Sequence, residues 1–246
     1  RLNLERSIAL WDIAGKTVKS IHPEGRIGTW LLSKDGSAIT VQQDITKKTD
    51  YDVIGGREYQ LVSRPMASGE PRTLFPSLKN IQLQWAEDGS RYVFTREGRV
   101  FAGTIADTAR RQLLGPTSLA RPAADTTPDT SAAARAQRAK ERFSAVRWSP
   151  AGDAILASNS EGFWIVDAAS GEKEMIVPLP DSASMAPRPQ LATWSHDGRS
   201  LYFSENSRTE WNRAITRYDR QAKQKTELVR GTKFYNGLQL SDDGSI

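Results

Sequence analysis

The chain has 246 residues, no cysteine and a formal net charge of +5. That length holds one large all-β or α/β domain or two small ones, and the lack of cysteine excludes disulfide scaffolds, zinc–thiolate sites and thiol nucleophiles. Two histidines, His22 and His196, leave little material for metal sites or acid–base chemistry, and no apolar run approaches the roughly 18–20 residues of a membrane-spanning helix.

The first readable element is Ile8-Ala9-Leu10-Trp11-Asp12, followed by the turn Ala14-Gly15-Lys16 and then Thr17-Val18. This is a strand, a tight turn and a returning strand. His22 precedes Pro23 and is expected in a loop. An aromatic residue or leucine then stands four residues ahead of a turn glycine five times: Leu32 with Gly36, Trp85 with Gly89, Trp148 with Gly152, Trp194 with Gly198, and Leu240 with Gly244. The glycines are 53, 63, 46 and 46 residues apart. After them come Arg91-Tyr92-Val93-Phe94, Ala154-Ile155-Leu156-Ala157 and Ser200-Leu201-Tyr202-Phe203, short runs with strand chemistry. The glycine supplies the positive φ that a tight hairpin needs.

Third and fourth strands follow in most units. Phe163-Trp164-Ile165-Val166-Asp167 runs through Ala168-Ala169-Ser170-Gly171 into Met175-Ile176-Val177. Ala214-Ile215-Thr216-Arg217-Tyr218-Asp219 runs through Arg220-Gln221-Ala222-Lys223 into Thr226-Glu227-Leu228-Val229. An apolar residue followed by Asp closes the third strand, as Trp11-Asp12 does near the start. Four short antiparallel strands in each repeat of about 45 residues make a β-propeller blade. The expected fold is all-β, with four full blades near 28–75, 81–115, 143–179 and 190–230 and half blades at 7–20 and 235–246. Neighbouring blades are needed because one blade cannot bury both faces of its sheet. The halves either join into a fifth blade or belong to a ring of about six to eight blades. Arg1 stands inside ordinary sequence and Ile246 follows a turn signal, which favours an excised piece of the larger ring.

Two stretches lengthen the repeat. Thr46 to Glu58 reads as a long hairpin loop. Residues 116–142 form an inter-blade insertion, with linker composition first and a helix-forming run from Ser131 to Arg142. The whole of 1–246 is otherwise expected to be one propeller domain.

The repeat Trp148-Ser149-Pro150-Ala151-Gly152 and its partner Trp194-Ser195-His196-Asp197-Gly198 resemble the TolB-like propeller repeat. They depart from Trp-Ser-Pro-Asp-Gly at Ala151 and His196. The same repeat builds the N-terminal propeller of prolyl-oligopeptidase-family serine peptidases, which include dipeptidyl and acylaminoacyl peptidases. The phrase Gly69-Glu70-Pro71-Arg72-Thr73-Leu74 closing a blade is similar to theirs. That resemblance implies a non-catalytic domain gating peptide substrates to a C-terminal α/β-hydrolase domain, and a periplasmic or secreted location. In those peptidases the nucleophile sits in a Gly-x-Ser-x-Gly elbow, and none occurs in this chain. The paired glutamates with which dipeptidyl peptidases hold a substrate amino terminus are also absent: Glu58 and Glu210 stand singly and read as surface residues. No residue is nominated as catalytic, cofactor-binding or metal-binding, and no cofactor is expected. The alternative reading is a TolB-like periplasmic protein-binding propeller without enzyme activity.

Other chemistries find less support. Leu10-Trp11-Asp12 resembles a WD dipeptide, but later units carry Val166-Asp167 and Tyr218-Asp219. Sialidase-type boxes need Ser-x-Asp-x-Gly, whereas Asp and Gly are adjacent here. The basic residues from Arg208 to Arg230 alternate along strands and read as a solvated face, so no nucleic-acid partner is expected. Ile54-Gly55-Gly56-Arg57 is a turn and lacks the P-loop pattern. His196 replaces a turn residue and is expected to be exposed.

Overall fold

A computed structural model describes residues 5–46, 56–67, 69–117, 130–181 and 184–232. The expected blades are there. A two-stranded sheet pairs β1 (Arg6–Asp12) with β2 (Thr17–Gly25). The first four-stranded sheet holds β3 (Ile27–Leu32), β4 (Ala38–Asp44), β5 (Tyr59–Pro65) and β6 (Arg72–Phe75). The second holds β7 (Gln82–Trp85), β8 (Arg91–Arg96), β9 (Arg99–Thr104) and β10 (Arg110–Leu114). After α1 (Ala132–Glu141) come the third, β11 (Ser144–Trp148), β12 (Ala154–Ser158), β13 (Gly162–Asp167) and β14 (Lys173–Pro178), and the fourth, β15 (Arg188–Trp194), β16 (Ser200–Asn206), β17 (Arg213–Asp219) and β18 (Gln224–Gly231). In every sheet the strands lie in sequence order. The half blade expected at 235–246 lies outside the described residues.

The repeated turn has one geometry. Ser33, Ala86, Ser149 and Ser195 each donate a backbone N–H to the carbonyl five residues on, and each accepts from the turn glycine. Gly36, Gly89, Gly152 and Gly198 have φ of 69°, 66°, 69° and 69°, the left-handed region that favours glycine. Where serine begins the turn, its hydroxyl also accepts from the first backbone N–H of the second strand: Ala38 at 3.0 Å, Ala154 at 3.2 Å and Ser200 at 2.8 Å. The aspartate closing the third strand caps the next turn. Asp12 accepts from the amides of Ala14 and Gly15, Asp167 from Ala169 and Ser170, and Asp219 from Gln221 and Ala222.

By contacts the chain divides into two units, Arg1–Tyr92 with Ala102–Arg111 and Val93–Phe101 with Gln112–Ile246. In the first unit, Ile21, Ile39 and Val41 form a buried cluster between the β1–β2 hairpin and the first four-stranded sheet, with Ile8, Ile27 and Met66 packed against it. Lys34 N–H donates to Asp88 O at 2.8 Å, tying the first repeated turn to the second. Phe75 meets Tyr92 edge to face at 5.4 Å. The Arg110 guanidinium lies 4.0 Å above the Phe75 ring and donates to Leu74 O.

In the second unit the core lies between the third and fourth sheets. It holds Leu156, Ile176 and Val177 from one, and Trp194, Leu201, Phe203 and Tyr218 from the other. The turns are joined at its margin by Arg220, which pairs with Asp153 at 3.1 Å, donates to Gly198 O at 2.9 Å and lies 5.4 Å above the Trp194 ring. Desolvation acts to raise the Asp153 pKa, but the Ser149 hydroxyl and the Arg220 charge outweigh it and hold the carboxyl below the ordinary carboxylate range. A depressed acid stabilises the fold above its unfolded pKa of about 3.9, and that stability is lost as pH falls through the folded value. Arg220→Ala is therefore expected to cost about 1 kcal/mol at pH 7, because the pair is partly solvated. The difference from wild type should shrink as pH is lowered below about 4. Urea unfolding of both proteins across that range checks this, and a gap that stays constant would remove the ion pair from the account.

One expectation is corrected. His22 is not in a loop but inside β2, opposite Ile8, and is 1% exposed. The strand runs on through Pro23 because, among the described residues, β2 pairs only with β1, and proline, which has no N–H to donate, is tolerated on an edge strand. His196 is exposed in its turn, as expected.

The hairpin β1–β2 differs from the equivalent hairpins. Trp11 is 66% exposed, whereas Val166 and Tyr218, which also precede the capping aspartate, are 0% and 5% exposed. Val166 and Tyr218 are covered because their strands also pair on the other side, opposite Ile155 and Leu201. Among the described residues β1 pairs with β2 alone.

Candidate functional site

A cleft of about 370 Å³ opens in the second unit where the insertion meets the third sheet. Its walls come from Gly115, Pro116 and Thr117 after β10, from Gln137, Lys140 and Glu141 on α1, and from Phe143, Glu161 and Lys173. Alanines at Ala132, Ala133, Ala134, Ala136 and Ala139 favour the helix. Ser131 caps it, accepting the Ala134 N–H at 3.1 Å. Arg138 and Lys140 in the last turn suit the negative end of the helix dipole.

Asn159 anchors the helix to the sheet. Its Nδ2 donates to the Lys140 carbonyl at 2.5 Å, satisfying one of the carbonyls that a helix end leaves open. Its Oδ1 accepts from the Trp164 indole N–H at 2.9 Å and from the amides of Glu161 and Gly162. Beyond the helix, Phe143 N–H donates to Gly98 O at 2.8 Å and Phe143 packs edge to face with Trp164 at 6.3 Å. The Lys173 ammonium lies 4.7 Å above Trp164 and 5.2 Å above Phe143, a cation–π position on two rings. Lys140 pairs with Glu161 at 3.6 Å, and Gln137 donates to Glu141 at 3.0 Å.

The described lining of the cleft offers charges of both signs and the Gln137 amide on a framework pinned by Asn159. Among the described residues no group of three or more His, Asp or Glu could hold a metal ion. Sequence reasoning saw the helix but not the cleft, whose walls come from separate elements. The tight turn Asn159-Ser160-Glu161-Gly162 was the one local signal, since Asn favours such turns.

Glu58 and Glu210 are both exposed. In the basic stretch, Lys223 pairs with Glu174 at 2.8 Å and Arg230 with Glu227 at 2.5 Å, and Arg220 holds Asp153 as described above. Ile54 and Gly55 lie outside the described residues. No helix among the described residues is long and apolar enough to cross a membrane.

Solved structures share this architecture. An oligogalacturonate lyase in complex with manganese matches with a TM-score of 0.58 at 13% identity, over 96% of this chain and 62% of that one. A protein from Bacteroides ovatus assigned as a dipeptidyl aminopeptidase IV matches with a TM-score of 0.53 at 10% identity, over 91% of this chain and 32% of that one. The fold is a β-propeller. TolB from Acinetobacter baumannii aligns over 90% of the chain at 14% identity, with a TM-score of 0.41. The chain spans about three fifths of the lyase, 62%, and 48% of TolB. No protein-family model and no curated protein sequence matches it. At these identities the likeness carries the propeller fold, and function has to be argued from sites.

Proposed function

We propose that this propeller is the non-catalytic domain of a prolyl-oligopeptidase-like serine peptidase, gating peptide access to a C-terminal α/β-hydrolase domain outside this chain. The observation that carries the reading is the match to the Bacteroides ovatus structure, in which 91% of this chain corresponds to 32% of a much longer one. The Trp148 and Trp194 repeats support it from the sequence side. In this reading a ring of blades admits flexible peptides and rejects folded proteins by size, and the protein is exported to the periplasm. The polar cleft beside α1 would then be a docking surface for the hydrolase domain or for a peptide.

The second reading is a TolB-like binding propeller with no enzyme attached, favoured by the same repeat motif. The two separate on one experiment. The full-length protein and the 246-residue chain are treated with a fluorophosphonate probe, which labels an activated serine. Labelling of the full-length protein alone is expected. If neither is labelled, the peptidase reading falls and the binding propeller stands.

A further inference from the structure

His22 sits in the apolar seam that joins the β1–β2 hairpin to the first four-stranded sheet, next to Ile21 and opposite Ile8. Its Nε2 lies 3.4 Å from Gln43 Nε2. Gln43 Oε1 is already taken, since it accepts from Gln60 Nε2 at 2.6 Å. Gln43 therefore turns its amide nitrogen to the ring, and only a bare Nε2 can accept from it. The ring proton is thus on Nδ1, which is buried and meets no acceptor.

The charged groups on the surrounding elements are Arg6 and, at the far end of the hairpin opposite Thr17, Asp12 on β1, Lys19 and Glu24 on β2, Arg26 ahead of β3, Asp44 on β4 and Arg64 on β5. Asp44 is held by Arg57 at 3.3 Å and by Arg26 at 4.0 Å. Burial, and after it the Arg64 charge, lower the proton affinity of the ring. A second proton on Nε2 would point at the Gln43 amide donor, and the charged ring would stand beside Arg64 without a counter-charge among the described residues. Turning the Gln43 amide over would present its oxygen to the ring, and the bond with Gln60 would survive only if the Gln60 amide turned with it.

We infer that His22 is a proton-sensitive latch: the neutral ring holds the β1–β2 hairpin on the first four-stranded sheet, and its protonation releases the hairpin. The sign follows from a folded pKa below the unfolded value of about 6.5: the latch is at full strength above that pH and weakens as pH falls through it. Opening should become up to about 25-fold more favourable at pH 5 than at pH 7, the limit for a ring that charges only when released.

Amide hydrogen exchange of the intact chain, corrected for the intrinsic effect of pH, tests this. Protection of β1 and β2 is expected to fall between pH 7 and pH 5 while that of β12 and β13 holds. In His22→Gln, which cannot be protonated, hairpin protection should no longer depend on pH across that range. Constant hairpin protection in the wild type, an equal loss in β12 and β13, or an unchanged pH response in the variant would each overturn the latch. Should the variant not fold, nitrogen-15 NMR of the wild type decides: a His22 ring that becomes protonated while β2 stays protected overturns the inference, and loss of both together supports it.

Discussion

Phe203→Ala is expected to destabilise the protein by about 3–5 kcal/mol, the range for emptying a large aromatic site in a packed core. Phe203 is 0% exposed and stands on β16 among Leu156, Ile176, Trp194 and Leu201, so its ring fills space that two sheets share. Neither sheet can collapse into the gap without breaking its own hydrogen-bonded ladder. A loss of that size is a fifth or more of the roughly 5–15 kcal/mol that holds a typical domain together. The check is urea unfolding: the midpoint should fall while the slope stays constant. Phe203→Leu keeps most of the volume and should cost about 1.5 kcal/mol or less. Equal effects of the two substitutions would mean that ring volume is not what the site requires.

Gly162→Ala should be nearly as severe for a different reason. A Cβ at Gly162 would stand 2.2 Å from the Val177 carbonyl oxygen and 3.0 Å from Pro178 Cα, which are backbone atoms of β14. Relief means moving a strand, and forced shifts of this kind cost about 3 kcal/mol. The damage would reach the cleft. Gly162 N–H donates to Asn159 Oδ1, and Asn159 also holds the Trp164 indole and the end of α1. Loss of stability should therefore be accompanied by changed Trp164 emission and faster amide exchange in α1. A variant as stable as wild type would show that β14, the outer strand of its sheet, yields freely.

The blades were legible because their punctuation is local. A turn glycine four residues after Trp or Leu, and an aspartate that caps its own turn, act within five residues and leave a mark at each repeat. Gly36, Gly89, Gly152 and Gly198 share the left-handed turn that this spacing requires. His22 was misread because Pro23 is also a local signal, and a proline on an edge strand looks like a proline in a loop until the pairing is known. The cleft was illegible for the opposite reason. Asn159, Phe143, Trp164 and Lys173 meet only when β12, β13 and β14 are paired and the helix is set down on them, and no spacing in the chain encodes that meeting. The exposure of Trp11 was equally hidden, since its sequence context matches that of the buried Val166 and Tyr218.

Strands that pair only with their sequence neighbours also have a kinetic consequence. In every described sheet each ladder closes a loop of one hairpin, so the entropy of bringing its ends together is small. Such a chain has few long-range pairings to wait for, which favours faster assembly than β folds built on distant strands. Each sheet can form as its own residues become available. The β1–β2 hairpin keeps that rule, but among the described residues no further strand pairs with β1 and Trp11 stays exposed.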